Sequence, residues 1–511
     1  MHRDSAIIRG IITKKQSILK VVITLKNSIE EIKLNLHTKF ADSADLTIRE
    51  ITLRSSKCLT AAVITMEGLV DKEQLAQSVL NPLMVYDFGN MPPQRAAETI
   101  QNSVAAAADL AAFTTVDELV TYITSGFAVL VVDGAEILFA AGTQGYAFRG
   151  VSEPESEVVQ RGSREGFSEP LRVNMSLLRR RMKSPELVFE QMTVGSESQT
   201  QLMLCYLQSK VSGQLLETLR SRLNACRLET VLGAGYLSDY LEDKNTSRLF
   251  SGVGISERPD TVCGQLTEGR IAIIVDGTPA VLIVPRLFVE EFQGVDDYSN
   301  RTYYATFIRL LKYLSFFIAV FLPGLYVALA QFHPEYIPSF ILIKTAEALS
   351  QTPLPVALEV LMMTLVYEIM KEAGLRIPKS LAHAVSIVGA LVIGESAVTA
   401  GIISSSTLMV VATAAICSYV TASLYPPIMA LRLVFIVVGG LAGLWGIVLA
   451  TAVVIISLCS KTSLGVPYMS SLSPFSLRRM RDVFLRVSWK ELGRHTIRVQ
   501  KFPETEADHV R

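Results

Sequence analysis

Between Tyr313 and Leu458 the chain carries only eleven charged side chains in 146 residues, and nothing else in the sequence restricts the fold as strongly. A bilayer core about 30 Å thick is crossed by about 20 apolar residues in a helix. Five runs qualify or come close: Leu311–Phe332, Leu354–Met370, Leu381–Ile403, Thr407–Leu424 and Leu431–Leu458. Pro323-Gly324 falls inside the first and predicts a kink or a break, because proline removes a helical hydrogen bond. Pro426-Pro427 is expected to end the fourth run. In the last run Gly439 and Gly443 lie four apart, on one helical face, where they let another helix approach in ordinary packing.

Positive residues orient such segments. Arg301, Arg309 and Lys312 precede the first run, Lys371, Arg376 and Lys379 follow the second, and Arg478, Arg479, Arg481, Arg486, Lys490 and Arg494 lie in the tail. All three groups read as cytoplasmic and the 333–353 loop as external. Five full crossings contradict this, because an odd number leaves the tail on the wrong side. Either the long last run is two pieces, or Thr407–Leu424, with Thr413, Ser418, Thr421 and Ser423, is re-entrant.

The first 300 residues are charged throughout and read as α/β. CLTAAVITMEGLV (58–70) reads as a buried strand, followed by a helix opened by Asp71. Thr115 and Glu118 form a capping box for a second helix ending near Gly126. FAVLVVDGAEILFAA (127–141) and RIAIIVDGTPAVLIVP (270–285) read as hairpins turned at Asp133-Gly134 and Asp276-Gly277. The shared turn suggests two subdomains and leaves a duplication open. The fold class is therefore an α/β soluble N-terminal half with two subdomains, followed by an all-α multi-pass transmembrane domain. Its divisions are 1–36, an amphipathic helical segment with Ile18, Val22, Leu25, Ile29, Ile32 and Leu36 at helical spacing; 37–148 and 149–300, the α/β subdomains; 301–458, the membrane domain; and 459–511, a basic tail. The 1–36 segment packs against the soluble half or lies on a membrane surface. Charges interrupt its apolar positions, so no cleavable signal peptide is expected.

Catalytic and cofactor signatures are not found. The chain has no GxxxxGK[ST], no GxSxG and no HExxH, and its six cysteines form no CxxC pair, which suits a reducing compartment. Net charge is zero, which gives no field for nucleic acid. The charge-rich stretch 149–171 reads as a solvated, salt-bridged linker or an inter-subunit contact rather than an acid/base site, and LLRRRMK (177–183) as a basic patch for headgroups, an acidic neighbour or solvent. In the membrane half, Glu368 has Lys371 three residues on. Glu359 and Glu395 have no such partner. Glu395 is followed by Ser396, Thr399, Ser404, Ser405, Ser406 and Thr407. A carboxylate with hydroxyls suits a polar pathway for cations, and equally a hydrogen-bonded network between helices.

Five stretches, NLHTKFADSADLTIRE (35–50), EPESEVVQRGSREGF (153–167), NMSLLRRRMKSPEL (174–187), SERPDTVCGQLTEGRIAIIVDGTPAVLIVP (256–285) and DDYSNRTYYATFIRLLKYLSFFIAVFLPGLYVAL (296–329), resemble the GerA family, the A subunits of spore germination receptors. The resemblance runs from about residue 30 to beyond 480. One departure is Gly162-Ser163, where family members often carry Gly-Pro. The resemblance implies a subunit in the spore inner membrane with its soluble half cytoplasmic and no enzymatic activity. It implies a transporter-like B subunit and a lipoprotein C subunit as partners, and a homo-oligomeric, ligand-gated channel for monovalent cations. A late-sporulation accessory protein of the same fold is the alternative; a secondary transporter fits less well, since five uneven segments offer little for inverted repeats.

Overall fold

The structure, a computed structural model, describes residues 28–55, 59–104, 110–145, 153–154, 157–159, 161–243, 249–377, 394–470, 472 and 482–487. Ile18, Val22, Leu25, Cys58, Glu155, Lys379, Arg478, Arg479, Arg481, Lys490 and Arg494, and most of the Leu381–Ile403 run, lie outside the described residues.

Two five-stranded antiparallel sheets form the soluble half. The first contains β1 (Leu46–Thr52), β2 (Thr60–Met66), β3 (Leu110–Phe113), β4 (Ala128–Val132) and β5 (Leu138–Ala141), in the order β1-β2-β4-β5-β3. The second contains β6 (Leu187–Val194), β7 (Thr200–Leu207), β8 (Gly254–Ser256), β9 (Ile271–Val275) and β10 (Val281–Val284), in the order β6-β7-β9-β10-β8. The orders are the same. Each sheet is preceded by a helix, α1 (Ile29–Phe40) and α3 (Leu171–Arg181), with α2 (Val116–Thr124) between them in the chain. Asp133 Oδ1 accepts from the Ile29 N–H at 3.1 Å, and Asp276 Oδ1 from the Leu171 N–H at 3.0 Å. The two Asp-Gly turns thus cap equivalent helices, and a repeated unit accounts for both. Gly134 and Gly277 have φ of 77° and 80°, the conformation that requires glycine there.

Helices cover both faces of each sheet, which is why β4, β9 and β10 are buried at every residue. α1 runs to Phe40, past the expected boundary at 36, because Leu36 and Phe40 continue its buried stripe. The Asp71 and Thr115 caps form, each accepting from N–H groups of the first turn.

α4 (Gly213–Asn224) and α5 (Pro259–Thr267) complete the second unit, and α6 (Val295–Ser299) leads into α7 (Thr302–Phe332). α7 stays helical through Pro323 and does not break there. α8 (Ser339–Ser350) fills part of the expected loop. α9 (Val356–Arg376) runs into the supposed 371–379 loop as far as Arg376, supported by a Glu372–Arg376 pair at 2.7 Å. α10 (Gly394–Thr399) ends before Ile403, in a turn with Gly401 at φ 68°. α11 (Ser405–Val420) is followed by α12 (Tyr425–Ser460). Pro426 and Pro427 lie in the first turn of α12 rather than ending α11, since proline suits a helix start.

α12 folds back on itself. Gly443 has φ 58° and ψ −147°, outside the helical region and open only to glycine. A straight helix of 36 residues would separate its ends by about 54 Å. Instead Leu424, just before it, and Leu458, near its end, share one core with Phe288 and Phe292 of the soluble half. Gly446 lies against Val438 and Ala442 across the bend. The last apolar run is therefore two arms, the first of the two readings that the charge count left open. Of the two glycines expected to share a helical face, Gly443 makes the bend and Gly439 the contact described below.

The region from 459 is more than a basic tail. β11 (Thr462–Ser463) and β12 (Val466–Pro467) pair, and Leu464, Val466 and Val483 enter the core under the second sheet. Their apolar side chains had been masked by the surrounding charge. Lys461 is buried near Glu242, at 3.9 Å, and the Ser463 hydroxyl donates to Gly252 O at 2.6 Å.

Candidate functional site

The buried polar centre of the helical half is built on Glu359, in the first turn of α9. Ser404 is the N-cap of α11, and its hydroxyl accepts from the Thr407 N–H at 3.3 Å. This start of α11 points its donors at Glu359. Oε2 accepts from the Ser404 N–H at 3.2 Å and the Thr407 hydroxyl at 2.9 Å, with the Ser404 hydroxyl at 3.0 Å. A carboxylate at a helix N-terminus is favoured by the exposed N–H groups and the helix dipole. Ser406 donates to Ser404 Oγ at 3.3 Å, and the Tyr326 hydroxyl of α7 lies 3.0 Å from Ser406 Oγ. The hydroxyls therefore lead from Glu359, which is 0% exposed, out to the half-buried Tyr326. Around them stand Val327, Val360, Met363, Ile403, Val411 and Ile436. Among the described residues no cation pairs with Glu359, and its Oε1 has no hydrogen-bond partner.

The other expected residues sit elsewhere. Glu395 and Ser396 are exposed on the isolated chain, and the exposed Thr399 hydroxyl is turned to Glu395 O at 2.6 Å. They do not join Glu359. The hydroxyl run reaches across to a different helix because Gly401 turns the chain back before Ser404. Ser404 and Thr407, later members of the hydroxyl run that follows Glu395 in the sequence, are partners of Glu359. Glu368 meets Lys371 at 4.0 Å and also accepts from the Tyr425 hydroxyl at 2.6 Å.

Pro323 and Gly324 lie where α7 crosses the first arm of α12. A Cβ on Gly324 would stand 2.5 Å from Phe435 O, and one on Gly439 2.5 Å from Gly324 O. Backbone meets backbone at this crossing, so both positions exclude any side chain.

The junction of the halves is a second polar centre, missed in the sequence. Asp297, 2% exposed, takes Arg309 Nε at 3.1 Å and Lys312 Nζ at 3.5 Å. Arg309 also pairs with Asp482 at 3.1 Å, and the Tyr298 hydroxyl donates to Asp482 at 2.8 Å. The Arg309–Asp482 pair spans 173 residues, which no local pattern reveals. The LLRRRMK tract is not a free basic patch. Arg179 is fully buried and holds Asp45 by two bonds of 2.8 and 3.0 Å, which ties the two α/β units together, while Arg180 and Arg181 both hold Glu165. In the linker, Glu157 accepts from the Ser256 hydroxyl at 2.7 Å and the Glu257 N–H at 3.0 Å. Burial pushes its carboxyl above the usual range, against the opposing pull of those two donors.

The family profile described as Bacillus/Clostridium GerA spore germination protein matches residues 34–497. The chain belongs to the GerA family. It is 39% identical to spore germination protein KA of Bacillus subtilis (strain 168), over 88% of this chain and 82% of that protein. It is 32% identical to spore germination protein GerLA of Bacillus cereus, over 89% of this chain and 92% of that protein. A crystal structure of the N-terminal domain of the A subunit of the Bacillus megaterium spore germinant receptor GerK3 aligns at 29% identity, over 53% of this chain and 99% of that one, with a TM-score of 0.42. GerA proteins are germination proteins, not enzymes. In this GerA chain α7 and the 422–460 run are long and apolar enough to cross a membrane, and α11 is a shorter apolar helix.

Proposed function

We propose that this chain is the A-type subunit of a nutrient germinant receptor in the spore inner membrane, with its soluble half cytoplasmic. In this reading the helical half crosses the membrane several times. The first arm of α12 leads out to the bend at Gly443, beside Phe332 at the far end of α7, and the second returns to the soluble half. Copies of the chain assemble around a pathway for monovalent cations, in contact with lipid, a transporter-like B subunit and a lipoprotein C subunit. Nutrient binding on a partner is passed through the α/β units and the Asp297 junction to the helices.

The observation that carries the pathway is Glu359: a buried carboxylate with no paired cation among the described residues, one bare oxygen and a hydroxyl chain leading outward. Carboxylates inside apolar segments are costly unless they serve protein or permeant partners. Glu395, Ser396 and Thr399 belong to the same pathway only if a neighbouring copy covers their exposed face.

Potassium release from spores lacking the gene tests this. Loss of release to one nutrient class, with others intact, is the expected result. A uniform slowing across all nutrients points instead to the accessory protein of late sporulation.

A further inference from the structure

Pro323 leaves a defect in α7. Proline has no N–H, so the carbonyl four residues earlier loses its helical donor. That carbonyl belongs to Ala319, and the structure supplies it from another helix: Arg432 Nε, on the first arm of α12, donates to Ala319 O at 2.9 Å. The same guanidinium donates through Nη2 to Ala414 O of α11 at 3.1 Å. Arg432 is 1% exposed, and its remaining nitrogen, Nη1, has no hydrogen-bond partner among the described residues.

A charge buried among apolar helices is costly, and an apolar side chain of similar length would fill the space. What the guanidinium adds is a donor for a carbonyl that its own helix cannot satisfy, together with a second bond to a third helix. The neighbouring geometry makes the position sensitive. Gly324 follows Pro323 directly and lies with its backbone against Phe435 O, one turn along α12 from Arg432. Any bend of α7 at its proline is therefore felt at once by α12.

We propose that Arg432 is the latch of the membrane half: it replaces the hydrogen bond missing at Pro323 and holds α7, α11 and α12 in the closed arrangement. Opening begins when Arg432 releases Ala319 O and α7 bends at Pro323. This rests on the reading of the chain as an ion-releasing receptor subunit. Arg432 is a positioning residue here; it needs no contact with the permeant ion.

The test exploits the proline. Pro323→Ala restores a backbone N–H aimed at Ala319 O, so it should make Arg432 dispensable. Spores carrying the full chain as Arg432→Met should leak potassium without nutrient about tenfold faster than wild type, the scale of one charge-assisted hydrogen bond in a barrier. The purified chain in detergent should also show a lower thermal midpoint. In the double variant Pro323→Ala/Arg432→Met, the leak should return near the wild-type rate and most of the midpoint loss should be recovered. Pro323→Ala alone should slow nutrient-triggered release. If Arg432→Met fails to accumulate, recovery of its level by Pro323→Ala supports the latch, and no recovery overturns it. A double variant as leaky and as unstable as Arg432→Met also overturns it. Coupled midpoints with potassium release unchanged in every variant, and in the deletion, would instead sink the ion-release reading and leave the structural tie.

Discussion

Asp297 and Glu359 are both buried carboxylates, and their surroundings are opposite. Asp297 is compensated by Arg309 and Lys312, and its carbonyl accepts from Arg486 Nε at 3.3 Å. Its neighbour Asp482 brings the C-terminal segment into the same knot. Glu359 has hydroxyls and one N–H on a single oxygen and, among the described residues, nothing on the other. A carboxylate locked between cations is a joint, since losing it strands the cations. A carboxylate served by hydroxyls and a helix N-terminus is stable without a cation, and it keeps an oxygen free to take one.

The sharpest way to break this contrast is at the joint. Asp297→Ala should cost about 3–5 kcal/mol, because Arg309 is left buried and undercompensated. The check is the chain's level in spore membranes, which should collapse. Full accumulation with normal germination would remove the distinction. Gly443→Ala should come next, at about 1–3 kcal/mol, since alanine rarely adopts the bend that returns α12 to the joint. The thermal midpoint of the detergent-purified chain measures it.

Thr407→Val removes one of the donors to Glu359 and should cost about 1 kcal/mol. Glu359→Gln keeps an acceptor for the remaining donors, so its stability effect should be smaller still, while nutrient-triggered potassium release slows. A Glu359→Gln chain as unstable as Asp297→Ala would make Glu359 another joint. The smallest effect is expected at Glu157. Its folded carboxyl titrates above the ordinary value, so stability falls as pH rises from that ordinary value through the raised one. Glu157→Gln should flatten this part of the pH profile of the midpoint and leave potassium release unchanged.

Much of the local structure was legible beforehand. The Asp133-Gly134 and Asp276-Gly277 turns, the Asp71 and Thr115 caps and the apolar runs of the helical half follow from patterns a few residues long. What was less legible depends on contacts between distant residues. Pro323 reads as a kink or a break; the helix passes through it unbroken, and the donor that Pro323 lacks comes from another helix, at Arg432. Glu395 reads as the carboxylate of the hydroxyl run, but the turn at Gly401 hands Ser404 and Thr407 to Glu359. The 459–511 region reads as a tail because its charges outnumber Leu464, Val466 and Val483, three residues whose destination is a sheet some 200 positions earlier.

The sequence by itself determined the division into an α/β half and an apolar helical half, because hydrophobic periodicity and turn chemistry act over a few residues. It also raised, through charge parity, the possibility that the last apolar run is two pieces. Only the tertiary structure decided which buried charges meet. The Arg179–Asp45, Arg309–Asp482 and Arg432–Ala319 contacts each join residues more than a hundred positions apart. Partners at such separations are chosen by packing, and a buried charge leaves no periodic trace of the group that will satisfy it.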